Sequence, residues 1–531
     1  PKEEASEEKI LGKDFLNFPQ KIQPSLLKMP KDDEIEVYII TTDIYKLGDY
    51  LRSIGVDNPY GKVKWPKTHR RILTPKITVK AGLLPKIAKL DCVKAIFEAP
   101  KLTVEQRFDW NRAAESTYGN VIRTGRDIST TEHHGAKYVW NTYNITGEGV
   151  NIAIVDTGFD FANAELIDSY AICENATSPY YGWPIVFDQA SMELYLATGK
   201  YGFDPSGVPY SGVWPASFYV NTSANLTASG GYITYDGISY KVEGIESKSG
   251  HYHFGYHIDG YLYYYYFFGS QAPRNVGVLV VDSNQPYVYD TVYVDLDNDH
   301  DFTDEKPCNI SSPVSYRDDY NSSSGQYVDK WNGGDGYPDW SGGMIYFIAD
   351  GKTPIPYSDV YASYYGLPLR VPGNGDLVAF IGEFFYGYTH GTMCASSALG
   401  RGKLFNGWPI GMAPKAKLIP LPFYGNVFDI WTFTQEGYDG NGSTLYDGNA
   451  QITSNSFGWS AVHNDGWHYI DRVADYIIRI YPYIWGYPTN SFTIALGNGG
   501  PGYGTVTTPD PTSSIGVGAV SYTHLTLPTT E

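Results

Sequence analysis

The apolar positions of this chain change period along its length. From Glu34 they alternate, with Ile35, Val37 and Ile39 on one face, as a half-buried strand requires. Tyr45 to Ile54 then reads as a short helix, Ile77 and Val79 as a second strand, Leu83 to Leu90 as a second helix and Val93 to Phe97 as a last strand. Two helices over a small antiparallel sheet is the economical way to bury those faces. Residues 34–100 therefore read as one small α+β unit. A Lys/Glu/Pro-rich lead-in without periodicity precedes it over 1–33, and a polar stretch over 101–135 reads as a linker.

Beyond the linker the pattern becomes that of a buried parallel sheet. Val150 to Val155 is a continuous apolar run ending in Asp156-Thr157-Gly158, and Leu418 to Phe423, Ile452 to Phe457, Phe492 to Leu496 and Ile515 to Val520 repeat the theme. Between the Ile452 and Phe492 runs lies a helix that Asp465 can cap, with Ile470, Val473, Ala474, Ile477 and Ile478 on one face. Strands alternating with helices predict an α/β fold, a doubly wound parallel sheet over 136–520 whose ligands bind at the carboxyl ends of the strands. Asp156 sits at such an end. A Tyr/Gly/Ser/Asp-rich region, about 178–376, interrupts the alternation with short strand-like runs such as Tyr261 to Phe268 and Val278 to Val281, and reads as an inserted β-rich module.

Composition adjusts this picture in a few places. At 531 residues the chain exceeds what one hydrophobic core usually organises, so two or three folding units are expected. Charge divides it: residues 1–100 hold 18 Lys and Arg against 14 Asp and Glu, a net of +4, whereas the remainder holds 21 against 44, a net of −23. So acidic a body repels phosphates, which argues against nucleic acid as a ligand. No stretch approaches the roughly 18 apolar residues of a membrane span. The four cysteines, Cys92, Cys173, Cys308 and Cys394, lack C-x-x-C pairing, so neither zinc nor a disulfide framework is indicated. At most one bridge, Cys173 to Cys308, is expected. Sequons at Asn144, Asn175, Asn221, Asn225, Asn309, Asn321 and Asn441 suit the surface loops of an exported glycoprotein, an extracellular or cell-surface protein; the alternative is chance in an Asn/Ser/Thr-rich chain.

Two segments carry candidate chemistry. Ile154-Val155-Asp156-Thr157-Gly158 ends a buried strand in a carboxylate, and His390-Gly391-Thr392-Met393-Cys394-Ala395 places a histidine where a helix begins. A serine peptidase needs a base to take the hydroxyl proton and an acid to hold that base in the right tautomer. A strand-end Asp and a helix-start His supply both, and the order Asp, His, then Ser is the one used by subtilisin.

On these residues the chain resembles the subtilisin-like serine proteases, the subtilases, and among them the pyrolysin-like archaeal group. Gly411-Met412-Ala413-Pro414 resembles the G-x-A-P segment after the His helix, Ser454-Asn455-Ser456-Phe457-Gly458 the S-x-S-x-G strand, and Ala495-Leu496-Gly497-Asn498-Gly499 the oxyanion loop. The likeness covers about 147–175 and 380–520. It implies that His390 is the general base, that Asp156 orients it, and that the Asn498 amide donates to the tetrahedral oxyanion. It also implies that Ser456, Phe457 and Gly458 pair main chain with an extended polypeptide substrate. Residues 34–100 resemble the subtilase propeptide, an intramolecular chaperone and inhibitor, and the opposite net charges suit that partnership; an unrelated α+β domain is the alternative. Two departures stand out. Met393 and Cys394 stand where many relatives have His-Val, a cysteine shared with the proteinase K branch and expected to pack inertly under the histidine, a redox- or mercury-sensitive thiol being the alternative. Asp156 and His390 are 234 positions apart, a spacing that fits the large insertion of the pyrolysin-like group.

Within the insertion, Asp295, Asp297, Asp299, Asp301, Asp304 and Glu305 form an acidic run whose alternate carboxylates can supply calcium with several oxygens, although it lacks the glycine and spacing of an EF-hand. A solvated acidic loop is the alternative. The G-T-S-x-A segment that would carry the nucleophile is absent from the 531 residues, and 521–531 resembles translated adapter sequence, a non-native tail. The sequence therefore predicts a secreted serine endopeptidase precursor truncated before its catalytic Ser and inactive as written. A pseudoprotease acting as a peptide- or surface-binding module is the other reading.

Overall fold

The computed structural model describes residues 18, 20–63, 72–99, 130–161, 163–200, 221–258, 275–295, 299–311, 314–315, 320–321, 326–327, 344–381, 390–403, 410–422, 425–438, 448–458, 466–488, 490–497, 506 and 509–518. Most of the linker, the Tyr261 to Phe268 run, Asp465 and the tail 521–531 lie outside them.

The N-terminal sheet follows the alternation that Ile35, Val37 and Ile39 announce. Strand β1 (Glu34–Thr41) lies between β2 (Lys76–Lys80) and β3 (Val93–Glu98), antiparallel to both. Helix α1 (Ile44–Ser53) starts where the Asp43 carboxylate accepts from the Tyr45 and Lys46 amides, and it buries Ile44, Leu47 and Leu51. The second helix is shorter than its apolar pattern suggests. A 3₁₀ turn over Ala81–Leu83 leads into α2 (Leu84–Ile87), whose first turn holds Pro85, and a further turn at Leu90 closes it.

The larger part of the chain is built on a five-stranded parallel sheet. Its strands are β4 (Asn151–Asp156), β5 (Lys417–Pro422), β6 (Ile452–Asn455), β7 (Ser491–Ala495) and β8 (Ile515–Val517), in the spatial order β5-β4-β6-β7-β8. The first connection moves from β4 to β5 in one direction. The next crosses back over β4 to β6 and continues to β7 and β8. Right-handed crossovers run in opposite directions put the connecting helices on opposite faces, and the order reverses beside β4. Such a reversal makes the carboxyl end of β4 the place where an α/β sheet holds its ligands. The helices are α5 (His390–Leu399) before β5, α6 (Val427–Glu436) before β6, and α7 (Tyr469–Asp475) before β7. The α7 helix passes through a wider π turn at Tyr476–Ile480 into α8 (Tyr481–Trp485). Its cap is His468, whose ring accepts from the Ile470 amide, and not the expected Asp465. Ile515 and Val517 of β8 are 59% and 51% exposed, so among the described residues nothing covers that edge of the sheet.

The segment between β4 and α5 is rich in antiparallel strands but also carries two helices that the sequence pattern hid, α3 (Gln189–Thr198) and α4 (Ser358–Tyr365). One sheet orders Thr291–Val294, Asn275–Val281, His251–Ile258 and Ala224–Thr227, and another orders Val314–Ser315, Met344–Asp350 and Asn374–Ile381. Alternation along Val278 to Val281 divides two cores. Val278 and Val280 pack with Met344 and Tyr346, while Leu279 and Val281 pack with Ile233 and Tyr240. The expected Cys173–Cys308 bridge is absent: neither residue is in a disulfide and both are buried, Cys173 in the main core and Cys308 in the Met344 cluster.

The tyrosines have a common task where helices meet. Glu436 of α6 is fully buried and accepts from the phenols of Tyr357, Tyr364 and Tyr481; Tyr365 donates to Asp429 at 2.7 Å, and Tyr60 and Tyr361 donate to Glu193 of α3 at 2.8 Å. A phenol brings apolar bulk and one donor, so a carboxylate can be taken out of water without a cation.

Asp471 of α7 is a buried carboxylate with weaker support. Its Oδ1 accepts from the Asp510 amide at 2.7 Å, and its Oδ2 has no partner among the described residues. Burial, with the charges of Asp510 and Asp475 adding to it, pushes its carboxyl up to about 7. A folded-state value above the unfolded one means that the native state binds the extra proton, so stability should fall as pH rises from about 4 to about 7, at a steepest slope of roughly 1.4 kcal/mol per pH unit. Urea unfolding across that window is expected to show the decline in the native protein and to lose it in Asp471→Asn; parallel pH profiles for the two would refute the assignment.

Candidate active site

Strand β4 delivers Asp156 to the switch point and then turns sharply at Gly158, whose φ of 141° lies in the region glycine favours. The turn is fastened to the first residues of α5 by two hydrogen bonds running in opposite directions. The Gly391 amide donates to Thr157 Oγ1 at 3.2 Å, and the Asp160 amide donates to Thr392 Oγ1 at 2.9 Å. Each threonine thus satisfies a backbone donor of the other segment. Gly391 must be glycine, since a Cβ there would overlap the Gly158 carbonyl oxygen. At the other end of α5, the Gly411, Met412 and Ala413 amides donate to the carbonyls of Gly400, Ser397 and Ala398, and a Cβ on Gly411 would collide with the Gly400 amide. The helix that carries His390 is therefore held at both ends.

This fastening brings the two chemical side chains together. Asp156 Oδ1 lies 2.6 Å from His390 Nδ1 and also accepts from the Thr157 amide at 2.7 Å. The Asp156 side chain is wholly buried and that of His390 is 17% exposed. A carboxylate so placed holds the ring proton on Nδ1 and leaves Nε2 as the basic nitrogen. Cys394, one helical turn along, sets its sulfur 3.8 Å from the same Nδ1. Burial pushes its thiol pKa far up, and the charge of Asp156 adds to the effect. It is a neutral, unreactive thiol. Asp156, His390 and Cys394 are the one trio of metal-ligating side chains found among the described residues, with ligand atoms within 4.8 Å of one another. Yet Nδ1 is engaged by Asp156 and the thiol is protonated, which suits an acid–base pair better than a metal centre.

Beside β4, strand β6 pairs Asn455 with Val155, so Ser456 stands level with Asp156 at the same edge of the sheet. The Asn455 side chain accepts from Trp431 Nε1 of α6 at 2.7 Å and donates to the Thr493 carbonyl of β7 at 3.0 Å, which fixes the strand end. Phe457 turns inward against Trp431, 3% exposed, while Ser456 and Gly458 are partly exposed. Strand β7 ends at Ala495 on the same edge, and Asn498, three positions further, lies outside the described residues. The sequence pattern singled out Asp156, His390 and the β6 segment but passed over the structural parts of Thr157, Gly391, Thr392 and Asn455. The signal was available, since each chemical residue is followed within two positions by a threonine.

The acidic run lies far along the insertion. Asp295 is buried and accepts from the Asp299 and His300 amides, and Asp301 is paired with Lys241 at 2.7 Å. Burial, then the charges of Asp299 and Asp301, raise the Asp304 carboxyl. Glu305 is partly exposed, and Asp297 lies outside the described residues. Like charges crowd here as they do where a cation relieves them, although among the described residues no three of these carboxylates converge within 4.8 Å.

No family model matches the sequence, and no curated protein sequence matches it. Among solved structures it is similar to a crystal structure of tripeptidyl peptidase 2, at a TM-score of 0.37 and 13% identity, over 73% of this chain and 29% of that one. The chain thus spans under a third of that protein's length.

The threonine fastening predicts the effect of one methyl group. Gly391→Ala is expected to cost about 1–3 kcal/mol in stability, as overpacking does. It should also displace His390, so that the downfield proton resonance of a carboxylate-bound Nδ1–H is lost. A variant that unfolds at the native urea concentration and keeps that resonance would show that the close approach has no such role.

Proposed function

We propose that the chain carries the acid–base half of a subtilisin-like serine endopeptidase, and the observation that carries this is the buried Asp156 held 2.6 Å from His390 at the switch point of the parallel sheet. In this reading His390 Nε2 takes the proton of a serine hydroxyl as it attacks the peptide carbonyl and later returns it to the leaving amine. Asp156 keeps the tautomer and stabilises the imidazolium. Asn498 donates to the oxyanion, and Ser456 to Gly458 offer main chain to an extended polypeptide. The N-terminal unit serves as the inhibitory propeptide. The 234-residue spacing between the pair supports the pyrolysin-like branch, and the sequons support an extracellular setting for the protein.

The 531 residues contain no G-T-S-x-A segment, so the nucleophile of this scheme is not among them. The second reading is a peptide-binding module on a peptidase scaffold, and the sequence that follows Val520 in the gene decides between the two. The purified 531-residue chain is expected neither to hydrolyse casein nor to be labelled by diisopropyl fluorophosphate. A chain extended in frame through a G-T-S-x-A segment should be labelled on that serine. A native reading frame that continues past Val520 without such a segment would favour the binding module, and casein hydrolysis by the 531-residue chain would refute the scheme as drawn.

Calcium is proposed as a structural ion of the 295–305 loop, with Asp297, Asp299, Asp304 and Glu305 as its first candidates and Asp295 shaping the turn. Chelation should lower the melting temperature and added calcium restore it; an unchanged melting temperature on chelation would exclude a structural ion there.

A further inference from the structure

We infer that the long insertion carries a second docking surface for the N-terminal unit, so that cutting the linker does not by itself set that unit free. The first surface lies on α6 and α7. There Tyr38 meets Phe428 edge-on at 5.1 Å, Phe97 lies 5.6 Å from Tyr469, and Phe18 stacks on Tyr469 at 4.7 Å with the Arg472 guanidinium 4.3 Å from the centre of the Phe18 ring. The buried Asn426 side chain donates to the Thr74 carbonyl at 2.8 Å.

The second surface belongs to the insertion and meets the loop after α1. The Gly61 amide donates to the Tyr365 carbonyl at 2.9 Å and the Val63 amide to the Gly366 carbonyl at 2.7 Å. The Tyr60 ring lies 5.2 Å from that of Tyr365, and its hydroxyl donates to Glu193 Oε1 at 2.8 Å, with the residue 2% exposed. Gly366, at a φ of 62°, ends α4 and allows this approach, since a Cβ there would lie 2.7 Å from the Val63 carbonyl oxygen and from the Tyr45 ring. Glu193 is already held by the insertion itself, accepting from Gln189 Nε2 at 2.6 Å and from Tyr361 at 2.8 Å on its other oxygen. The acceptor that receives Tyr60 is thus in place before the unit arrives, which lowers the entropic cost of docking.

Two surfaces gripping one rigid unit act as a bivalent site: while one holds, the other is presented at high effective concentration. Loss of the covalent link leaves both intact. Where the N-terminal unit is the inhibitor, as the proposed function has it, the insertion becomes the part that sets when inhibition ends.

The test uses the full chain with a site-specific protease sequence placed within 101–129 and a fluorophore on the N-terminal unit. After cleavage, release on dilution is followed by anisotropy. The native pair is expected to stay together. Tyr60→Phe and Glu193→Gln, on opposite sides of the contact, are each expected to speed release about tenfold, as weakening of a hydrogen bond from a buried phenol to a half-buried carboxylate implies. The double variant should gain little over either single one, because both act on the same bond, one by removing its donor and the other by removing the charge of its acceptor. Immediate dissociation of the native pair, or native release rates in both single variants at unchanged melting temperature, would overturn the inference. Retention is read without peptidase activity. A unit that stays bound through Tyr60 and Glu193 yet fails to inhibit the extended, active chain would sink the inhibitor reading and leave this one standing.

Discussion

Everything chemical in this molecule depends on two segments, 234 positions apart, touching closely enough for an amide of each to reach a threonine of the other. The requirement is steric before it is electrostatic. The Gly158 carbonyl occupies the place where any larger residue at 391 would put its Cβ, so the strand-end turn and the helix start can approach only with glycine between them. Once they do, the distance from Asp156 to His390 is no longer adjustable by either side chain alone. A hydrogen bond of 2.6 Å between a buried carboxylate and a ring follows from backbone packing. The sheet topology adds the location, since reversal of strand order beside β4 makes its carboxyl end the place where an α/β sheet holds its ligands.

A second constraint is dielectric. The body of the chain is strongly acidic, and several of its carboxylates lie inside. Among the described residues, Glu436 and Asp429 are met by phenols and not by cations, and these phenols come from the insertion as well as from the sheet's own helices: Tyr357, Tyr364 and Tyr365 all point from the insertion into α6. This joins the insertion to the sheet through polar contacts that are also aromatic packing, as where Phe187 stacks on Phe433 and meets Tyr357 edge-on. Part of the insertion, including Phe187, Leu196, Phe347 and Tyr361, therefore belongs to the same core as the sheet, while the rest keeps cores of its own.

Much of the sheet was legible because buried parallel strands are continuous apolar runs; β4 to β7 fall within about two residues of the expected bounds. Asp156 and His390 were legible because strand-end and helix-start positions leave characteristic neighbours. What escaped has physical reasons. Helix α4 hides because tyrosine is both apolar and polar, so a face built from Tyr361, Tyr364 and Tyr365 shows no clean hydropathic period. The cap of α7 was misplaced because a histidine ring can accept as well as an aspartate can. The Cys173–Cys308 pairing failed because a count of cysteines carries no information about which core each enters. The π turn after α7 and the docking of Tyr60 on Glu193 are tertiary facts with no local signature.

The separation of Asp156 from His390 also bears on time. Bringing the ends of a 234-residue segment together is entropically costly while that segment is unfolded, on the order of 5 kcal/mol by the logarithmic scaling of loop closure. The cost shrinks once the insertion has its own sheets and cores, because a folded module spans the gap with few free dihedrals. The acid–base pair is thus among the last contacts a nascent chain can form. Such a chain passes most of its folding with Asp156 and His390 apart, so their 2.6 Å contact reports that the insertion between them has already folded.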